Sequence, residues 1–313
     1  MNRTLEGRVL VTGAAGMLGS QLLLTAPARA EAVGTDLVAA RPENPAVAHP
    51  GVDLADPVAV ARLLDRLAPL AGVIHGAAYT AVDQAEVEEE RALLANAHVP
   101  GVVARACAER RVPLVHVSTD FVFDGAKRTP YTVDDVPAPV SAYGRTKLAG
   151  ERAVLDAHPS GTAIVRTQWL YGPRGKHFPG TILDLASKKD ELRVVDDQTG
   201  SPTSTLELAP ALWDVLAARA TGLYHAACEG TATWFAFASE TLRLAGKSTR
   251  IVPCTTAEFP RPAKRPAYSV LDCSGLTRLR GRSLAPWREG LADFLAEVGL
   301  ASGQGPQKAG KRT

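Results

Sequence analysis

The sequence predicts an α/β fold, a doubly wound parallel sheet with a small C-terminal lobe. Three observations carry that expectation. In the first half, short apolar segments alternate with segments of helical spacing, and strands apolar nearly throughout belong to a parallel sheet covered on both faces. A glycine-rich turn, GAAGMLG, joins the first apolar segment directly to the first helix. Beyond Arg166 the alternation loosens into shorter, mixed segments.

Residues 8–12 form a short apolar strand, and 17–25 have helical spacing. Residues 31–36 are a second strand, and 57–67 an amphipathic helix after Asp56. A third strand covers 72–75, and 83–95 and 99–110 are helical. VPLVHV at 112–117 is a fourth strand, followed by a helix at 143–157 and a fifth strand at 162–166. Then 177–189 reads as helix, 192–196 as strand, 206–218 as helix, 222–225 as a last parallel strand, and 233–244 and 286–298 as helices. Residues 251–272 are rich in Pro, Arg and Tyr and have little period. We therefore expect a dinucleotide-binding domain over 1–168, with returning segments at about 203–225. Residues 169–202 and 226–298 make a substrate lobe, and 299–313 a disordered tail.

Composition excludes several classes. The chain has 313 residues, 46% hydrophobic and 22% charged, with a net charge of +2. It can bury a sizeable core, and it lacks the basic excess of a nucleic-acid-binding chain. Cys107, Cys228, Cys254 and Cys273 are far apart, so neither a disulfide framework nor a zinc site is expected, and the cytoplasm is the expected compartment. No His/Asp/Glu cluster has metal spacing, so no catalytic metal is expected. Residues 9–28 are uncharged and follow Arg3 and Arg8, as a membrane or signal segment would be. Three glycines within that stretch are costly in a helix, and a strand, turn and helix explain it better.

The turn carries Gly13, Gly16 and Gly19 at three-residue spacing, a variant of the usual dinucleotide fingerprint. Glycines there let a pyrophosphate approach the N–H groups at the helix start. Asp36 ends the second strand, where a carboxylate accepts from ribose hydroxyls and repels a 2′-phosphate, favouring NAD. Arg41 nearby complicates that preference. Asp53 and Leu54 are placed to meet the adenine edge.

Among six tyrosines, only Tyr143 has a lysine four residues on, Lys147. On a helix the two share a face, and an ammonium there lowers the phenol's pKa for proton donation. The pair follows VHVSTDFVFDG, whose strand ends where parallel sheets place ligands, so Thr119 faces the phenol. On residue type alone Trp169 belongs to a core, and His75, His116 and His225 are satisfied core or pocket-wall histidines. The acidic run at 86–90 reads as a solvated helix face, and Met17 as packing.

The phrases VTGAAGMLGSQL, AAYTAVDQAE, VHVSTDFVFDG, YGRTKLAGE, RTQWLYG, VVDDQTGSPTST, GLYHAACEG and RPAYSVLD together carry a resemblance. From about residue 8 to 298 the chain resembles the extended short-chain dehydrogenase/reductases and, within them, the dTDP-4-dehydrorhamnose reductases. The resemblance implies a Rossmann domain plus a substrate lobe. It implies reduction of the 4-keto group of dTDP-4-dehydro-6-deoxy-L-mannose to dTDP-L-rhamnose, with NADH or NADPH as cofactor. Gly13, Gly16, Met17, Leu18 and Gly19 would hold the pyrophosphate, Asp36 the ribose, and Asp53 with Leu54 the adenine. Ala78, Tyr79 and Thr80 would line the cofactor pocket. Thr119, Tyr143 and Lys147 match the catalytic trio, with Lys147 also on the nicotinamide ribose. Thr119, Asp120 and Trp169 match the sugar-nucleotide contacts.

The diphosphate needs cations, and Lys176, Arg261, Lys264 and Arg265 are the candidates; a solvated basic loop is the alternative. Three positions depart from the family's usual residues: His75 for Asn, Gln168 for Ser and Phe121 for Tyr. Two rivals stay open, a sugar-nucleotide epimerase or dehydratase of the same superfamily and a non-catalytic NAD(P)-binding regulatory protein. The expected partners are a dTDP-sugar and, as an open option, a second copy in a homodimer; neither nucleic acid nor membrane is expected.

Overall fold

The computed structural model describes residues 4–39, 45 and 47–301. Arg41 and residues 302–313, most of the expected tail, lie outside the described residues. The first half runs β1 (Gly7–Thr12), α1 (Met17–Leu24), β2 (Ala30–Asp36), β3 (His49–Pro50), α2 (Pro57–Leu67), β4 (Leu70–His75), α3 (Glu89–Leu93), α4 (Val99–Arg110), β5 (Leu114–Thr119), α5 (Ala142–Ala157) and β6 (Thr162–Thr167). The second half runs β7 (Leu170–Tyr171), α6 (Phe178–Ala186), β8 (Glu191–Val195), β9 (Thr199–Gly200), β10 (Thr203–Ser204), α7 (Thr205–Ala217), β11 (Gly222–His225), β12 (Ala232–Thr233), α8 (Trp234–Leu244), β13 (Arg250–Cys254), α9 (Ser274–Arg280) and α10 (Trp287–Glu297).

Seven strands form one parallel sheet in the order β11-β6-β5-β4-β1-β2-β3. Residues alternate between its faces, and each face is covered. Val9, Val11, Ile74, Val115 and Val165 pack with α1 and α7 on one side. Leu10, Val73 and Leu114 pack with α2, α4 and Val154 of α5 on the other. That double burial is why the strands read as continuous apolar runs. The strand order reverses between β1 and β4, and such switch points open a crevice beyond the strands' C-terminal ends. A Cβ on Gly13 would lie 2.7 Å from the Ala77 backbone nitrogen, so the two turns at that crevice approach as only glycine permits.

The second half adds smaller sheets. β13 pairs in parallel with β8, and Ile182, Leu192, Val194, Ala238 and Leu242 form a core between them and α6 and α8. Residues 251–272, read as having little period, thus begin with most of a strand. β13 was obscured by Pro253, tolerable only because a two-stranded ribbon consists of edges. α9, seven residues with no side-chain cap, was also missed.

The expected helix at 83–95 is broken into a 3₁₀ turn (Gln84–Glu86), α3 and a π-turn (Leu94–His98) that runs into α4. Pro100 has no N–H to give to the Asn96 carbonyl. Gly150 of α5 packs there instead, and a Cβ on it would lie 1.9 Å from that oxygen. Among the described residues no helix is long and apolar enough to cross a membrane.

Candidate active site

A cavity of about 630 Å³ opens at the switch point and runs past the C-terminal ends of β1, β4, β5 and β6. At one end lies the glycine turn. Gly16 begins α1 with no side-chain cap and no acidic residue in the first turn, so the helix's free N–H groups and positive end face the cavity. Gly13, Gly16, Met17, Leu18 and Gly19 all line it, as do Asp36, Asp53 and Leu54. The Asp36 carboxylate accepts from the Ala15 N–H at 3.0 Å and the Val38 N–H at 3.3 Å, tying the end of β2 to the turn. Backbone donors without a side chain in the way fit a dinucleotide pyrophosphate.

Ala78 and Thr80 line the cavity, but Tyr79 does not. Alternate residues of an extended segment point opposite ways, and the Tyr79 hydroxyl donates to Glu88 Oε2 at 3.0 Å. Asn96, which the sequence reading passed over, holds this segment. Its Oδ1 accepts from the Tyr79 N–H at 2.8 Å, and its Nδ2 donates to the Tyr79 carbonyl at 3.0 Å and to Thr146 Oγ1 at 3.1 Å.

The other end holds the expected trio. Thr119 ends β5, while Tyr143 and Lys147 stand one turn apart on α5, and all three line the cavity. Burial pushes the Tyr143 phenol up to about 12, and the Thr119 hydroxyl donates to Asp120 Oδ1 at 3.0 Å. Lys147 Nζ donates to the Val117 carbonyl at 2.8 Å, and burial pulls its ammonium down to about 8. The expected lowering of the phenol by the ammonium is therefore not found. Desolvation dominates both groups, and Asp120 adds a further upward push on the phenol.

Two acceptors fix the start of α5. Ser141 Oγ accepts from the Gly144 N–H at 3.2 Å, and Glu86 Oε1 from the Ala142 N–H at 2.8 Å. Farther along, Glu89 pairs with Arg145 at 2.8 Å. Through Glu86 and Glu89 the acidic run at 86–90 thus grips α5 rather than forming a purely solvated face.

Below Lys147 the polar groups are buried. Glu151 accepts from Arg166 at 2.8 and 2.7 Å and from Ser118 Oγ at 2.5 Å. His75 and His116 stack with centroids 5.4 Å apart. Thr12 Oγ1 meets His75 Nδ1 at 2.7 Å, but neither ring nitrogen of His116 has a partner among the described residues, so His116 is buried without being satisfied. Burial pulls His75 down to about 3 and His225 to about 4, and lowers His116 well below its ordinary value.

Asp120 and Trp169 line the cavity. Burial raises the Asp120 carboxyl to about 6 against the hydrogen bonds of the Ser269 and Thr119 hydroxyls. Trp169 has φ +47°, a left-handed backbone rare for a bulky residue, and its ring stacks on Trp234 at 3.6 Å. It is both packed and presented. Lys176 lies at the rim, next to Gly175, which faces Met17 of the glycine turn. Arg261, Lys264 and Arg265 do not line the cavity. Arg265 is held by Asp83 at 2.9 and 3.0 Å, and Arg261 lies 3.9 Å from the same carboxylate, because Asp83 is the nearer anion.

Comparison with known proteins gives a consistent picture. The RmlD substrate binding domain family matches residues 7–300. A probable dTDP-4,6-dihydroxy-2-methyloxan-3-one 4-ketoreductase of Streptomyces antibioticus is 42% identical over 97% of this chain and 99% of its own length. A dTDP-4-dehydrorhamnose reductase of Mycolicibacterium smegmatis is 42% identical over 96% of this chain and 88% of its own. Among solved structures, a dTDP-4-dehydrorhamnose reductase of Clostridium acetobutylicum superposes with a TM-score of 0.85 at 38% identity, covering 93% of this chain and 99% of that one. That of Bacillus anthracis, in complex with NADP, gives 0.85 at 34% identity over the same shares.

Proposed function

Since the chain belongs to the RmlD substrate binding domain family, we propose that it is a dTDP-4-dehydrorhamnose reductase, reducing the 4-keto group of dTDP-4-dehydrorhamnose with NADH or NADPH. The observation that carries this reading is the meeting of Thr119, Tyr143 and Lys147 in one cavity continuous with the glycine turn.

The nicotinamide, when bound, supplies the hydride to the ketone carbon. Backbone N–H groups at the start of α1 bind the pyrophosphate, Asp36 takes the ribose hydroxyls, and Asp53 with Leu54 takes the adenine. Tyr143 donates its proton to the oxygen that becomes the hydroxyl, and Thr119 hydrogen-bonds that oxygen. A phenol held near 12 keeps its proton at neutral pH until the stronger base forms. The Lys147 ammonium supplies positive charge beside the developing anion. Trp169 offers an indole face to the sugar, and Lys176 a cation for phosphate.

Four buried or half-buried free cysteines suit a cytoplasmic enzyme. The decisive assay follows NAD(P)H absorbance with dTDP-4-dehydrorhamnose. Steady oxidation coupled to formation of dTDP-L-rhamnose is expected. Cofactor binding with no oxidation would return the chain to the regulatory alternative.

A further inference from the structure

Trp169 has a left-handed backbone, and a bulky residue keeps that conformation only where its surroundings over-determine it. Its carbonyl accepts from the Thr203 N–H at 3.2 Å. A Cβ on Gly200 would lie 2.5 Å from its Cε2 and 2.7 Å from its Nε1, so β9 passes the indole at a distance that only glycine allows. The plane of the ring is set by a third contact. Trp234 lies against it with centroids 3.6 Å apart and planes 8° apart.

Trp234 does not itself line the cavity. It follows β12, in which Ala232 pairs with Gly200 and Thr233 with Thr199. One two-stranded ribbon therefore brings both the glycine and the second indole to Trp169. Trp234 is in turn fastened from behind. Its Nε1 donates to Gln198 Oε1 at 3.1 Å, and Gln198 Nε2 donates to Thr256 Oγ1 at 2.9 Å. An indole N–H can only donate, so the buried Gln198 amide has one orientation. The Phe178 ring packs on Trp234 at 4.6 Å with the planes 54° apart.

Packing alone does not favour this arrangement. Aromatic pairs prefer offset or edge-to-face contacts to a full sandwich. What a sandwich does supply is a fixed plane, because Trp169 cannot turn about its side-chain bonds without leaving the second ring. A binding group ordered before its ligand arrives loses no rotamer freedom when the ligand binds. Such groups hold their geometry only where a packed and hydrogen-bonded neighbour locks them, and Trp234 is that neighbour.

We propose that Trp234 is a positioning residue for the nucleotide-sugar site: stacked on Trp169 and anchored through Gln198, it fixes the plane in which the Trp169 indole meets the substrate, without touching the substrate itself. This rests on the reductase function and on Trp169 as its sugar contact. It extends the site from the cavity wall into the β9–β12 ribbon and the start of α8.

The test is a double-mutant cycle of Trp234→Met and Trp169→Leu, with Trp234→Phe as the conservative variant. It reads kcat and KM for dTDP-4-dehydrorhamnose, NADPH affinity, thermal midpoint and far-ultraviolet circular dichroism, in which stacked indoles give paired bands of opposite sign. Methionine fills the gap but offers no flat face. Trp234→Met should lose the paired bands and raise KM by about tenfold, with kcat within about threefold and NADPH affinity unchanged. Trp234→Phe keeps a flat face and should hold KM within about threefold of wild type. In the Trp169→Leu background, Trp234→Met should change KM by less than about twofold, because the residue through which it acts is gone. If Trp234→Met does not fold, Gln198→Met takes its place in the cycle. It frees the Trp234 N–H and should weaken the paired bands and raise KM by about threefold; bands or KM left as in wild type would count against the proposal. An unchanged KM in Trp234→Met, or a rise that persists in full without Trp169, would overturn the assignment and leave Trp234 a packing residue. A wild-type KM in Trp169→Leu would overturn it too, with the reductase reading intact. Wild type that does not turn over dTDP-4-dehydrorhamnose would sink that reading, and this proposal with it.

Discussion

At the scale of single residues, the site separates its acid from its charge by burial. Tyr143→Phe keeps the ring that meets Phe121 edge-on at 5.5 Å and removes only the hydroxyl. NADPH affinity should hold while kcat falls by roughly 10²-fold or more, the usual scale for a lost general acid; near wild-type turnover would remove Tyr143 from the reaction. The pH profile should report its neighbours. Burial raises the Asp120 carboxyl to about 6 and lowers the Lys147 ammonium to about 8. We expect kcat/KM to fall on the acid side as Asp120 takes a proton and on the alkaline side as Lys147 loses one. Asp120→Asn should abolish the acid limb alone, and a flat profile between pH 5.5 and 9 would contradict both assignments. Asp36→Ala should raise the use of NADPH relative to NADH, because a carboxylate at the ribose repels a 2′-phosphate.

At the scale of elements, β4, β5, β6 and α5 enclose polar groups that a sheet interior normally excludes. The Arg166–Glu151 pair is 3% exposed on each side, and removing one partner of such a pair costs about 3–5 kcal/mol, so Glu151→Ala should lower the thermal midpoint sharply. The stacked histidines make β4 and β5 acid-sensitive. A histidine whose folded pKa is depressed stabilises fully above its unfolded value near 6.5 and loses that contribution as pH falls toward the folded value. His75 holds out to about 3, so the midpoint should decline below pH 6.5, each such histidine adding up to about 1.4 kcal/mol per pH unit. His75→Asn should flatten that decline in thermal melts at pH 4.5–7; an unchanged slope would show that other groups govern it.

These strands and α5 were legible in the sequence because each was a continuous apolar run or a capped, periodic segment. The π-turn at Leu94–His98 was not, because its cause is a missing hydrogen bond at Pro100 answered by Gly150, fifty positions downstream. Tyr143 and Lys147 were readable from spacing, and Thr119 from its place at the end of an apolar strand. Asn96 and the ties of Arg265 were not, since their partners, Tyr79 and Asp83, are joined to them only by the fold.

At the scale of the whole molecule, the segment around Arg265 is latched to Asp83, next to Val82 on the cavity wall. Arg265 Nη1 also donates to the Ala263 carbonyl at 2.8 Å, and the Ala263 N–H returns to Asp83 at 3.2 Å. Arg265→Ala should therefore loosen residues 260–268 in hydrogen exchange. It should raise KM for the nucleotide sugar by roughly threefold to tenfold with kcat nearly unchanged, the pattern of lost uniform binding. A fall in kcat instead would point to a role at the reacting atoms.

The seventh strand of the main sheet carries a consequence for how the chain is made. β11 pairs with β6 only after the polypeptide has passed through β7 to β10 and α7, so Gly222–His225 closes a sheet whose other six strands were complete by Thr167. During synthesis, at about 5–20 residues per second, β6 waits for several seconds with its outer backbone groups open to any passing strand. α7, which covers the α1 face, arrives in that same interval. A ribosome stalled after residue 167 has left the exit tunnel but before residue 225 has would therefore hold a nascent chain that is mostly folded and adhesive along one edge. Chaperone demand should concentrate in that window and end abruptly once residue 225 clears the exit tunnel.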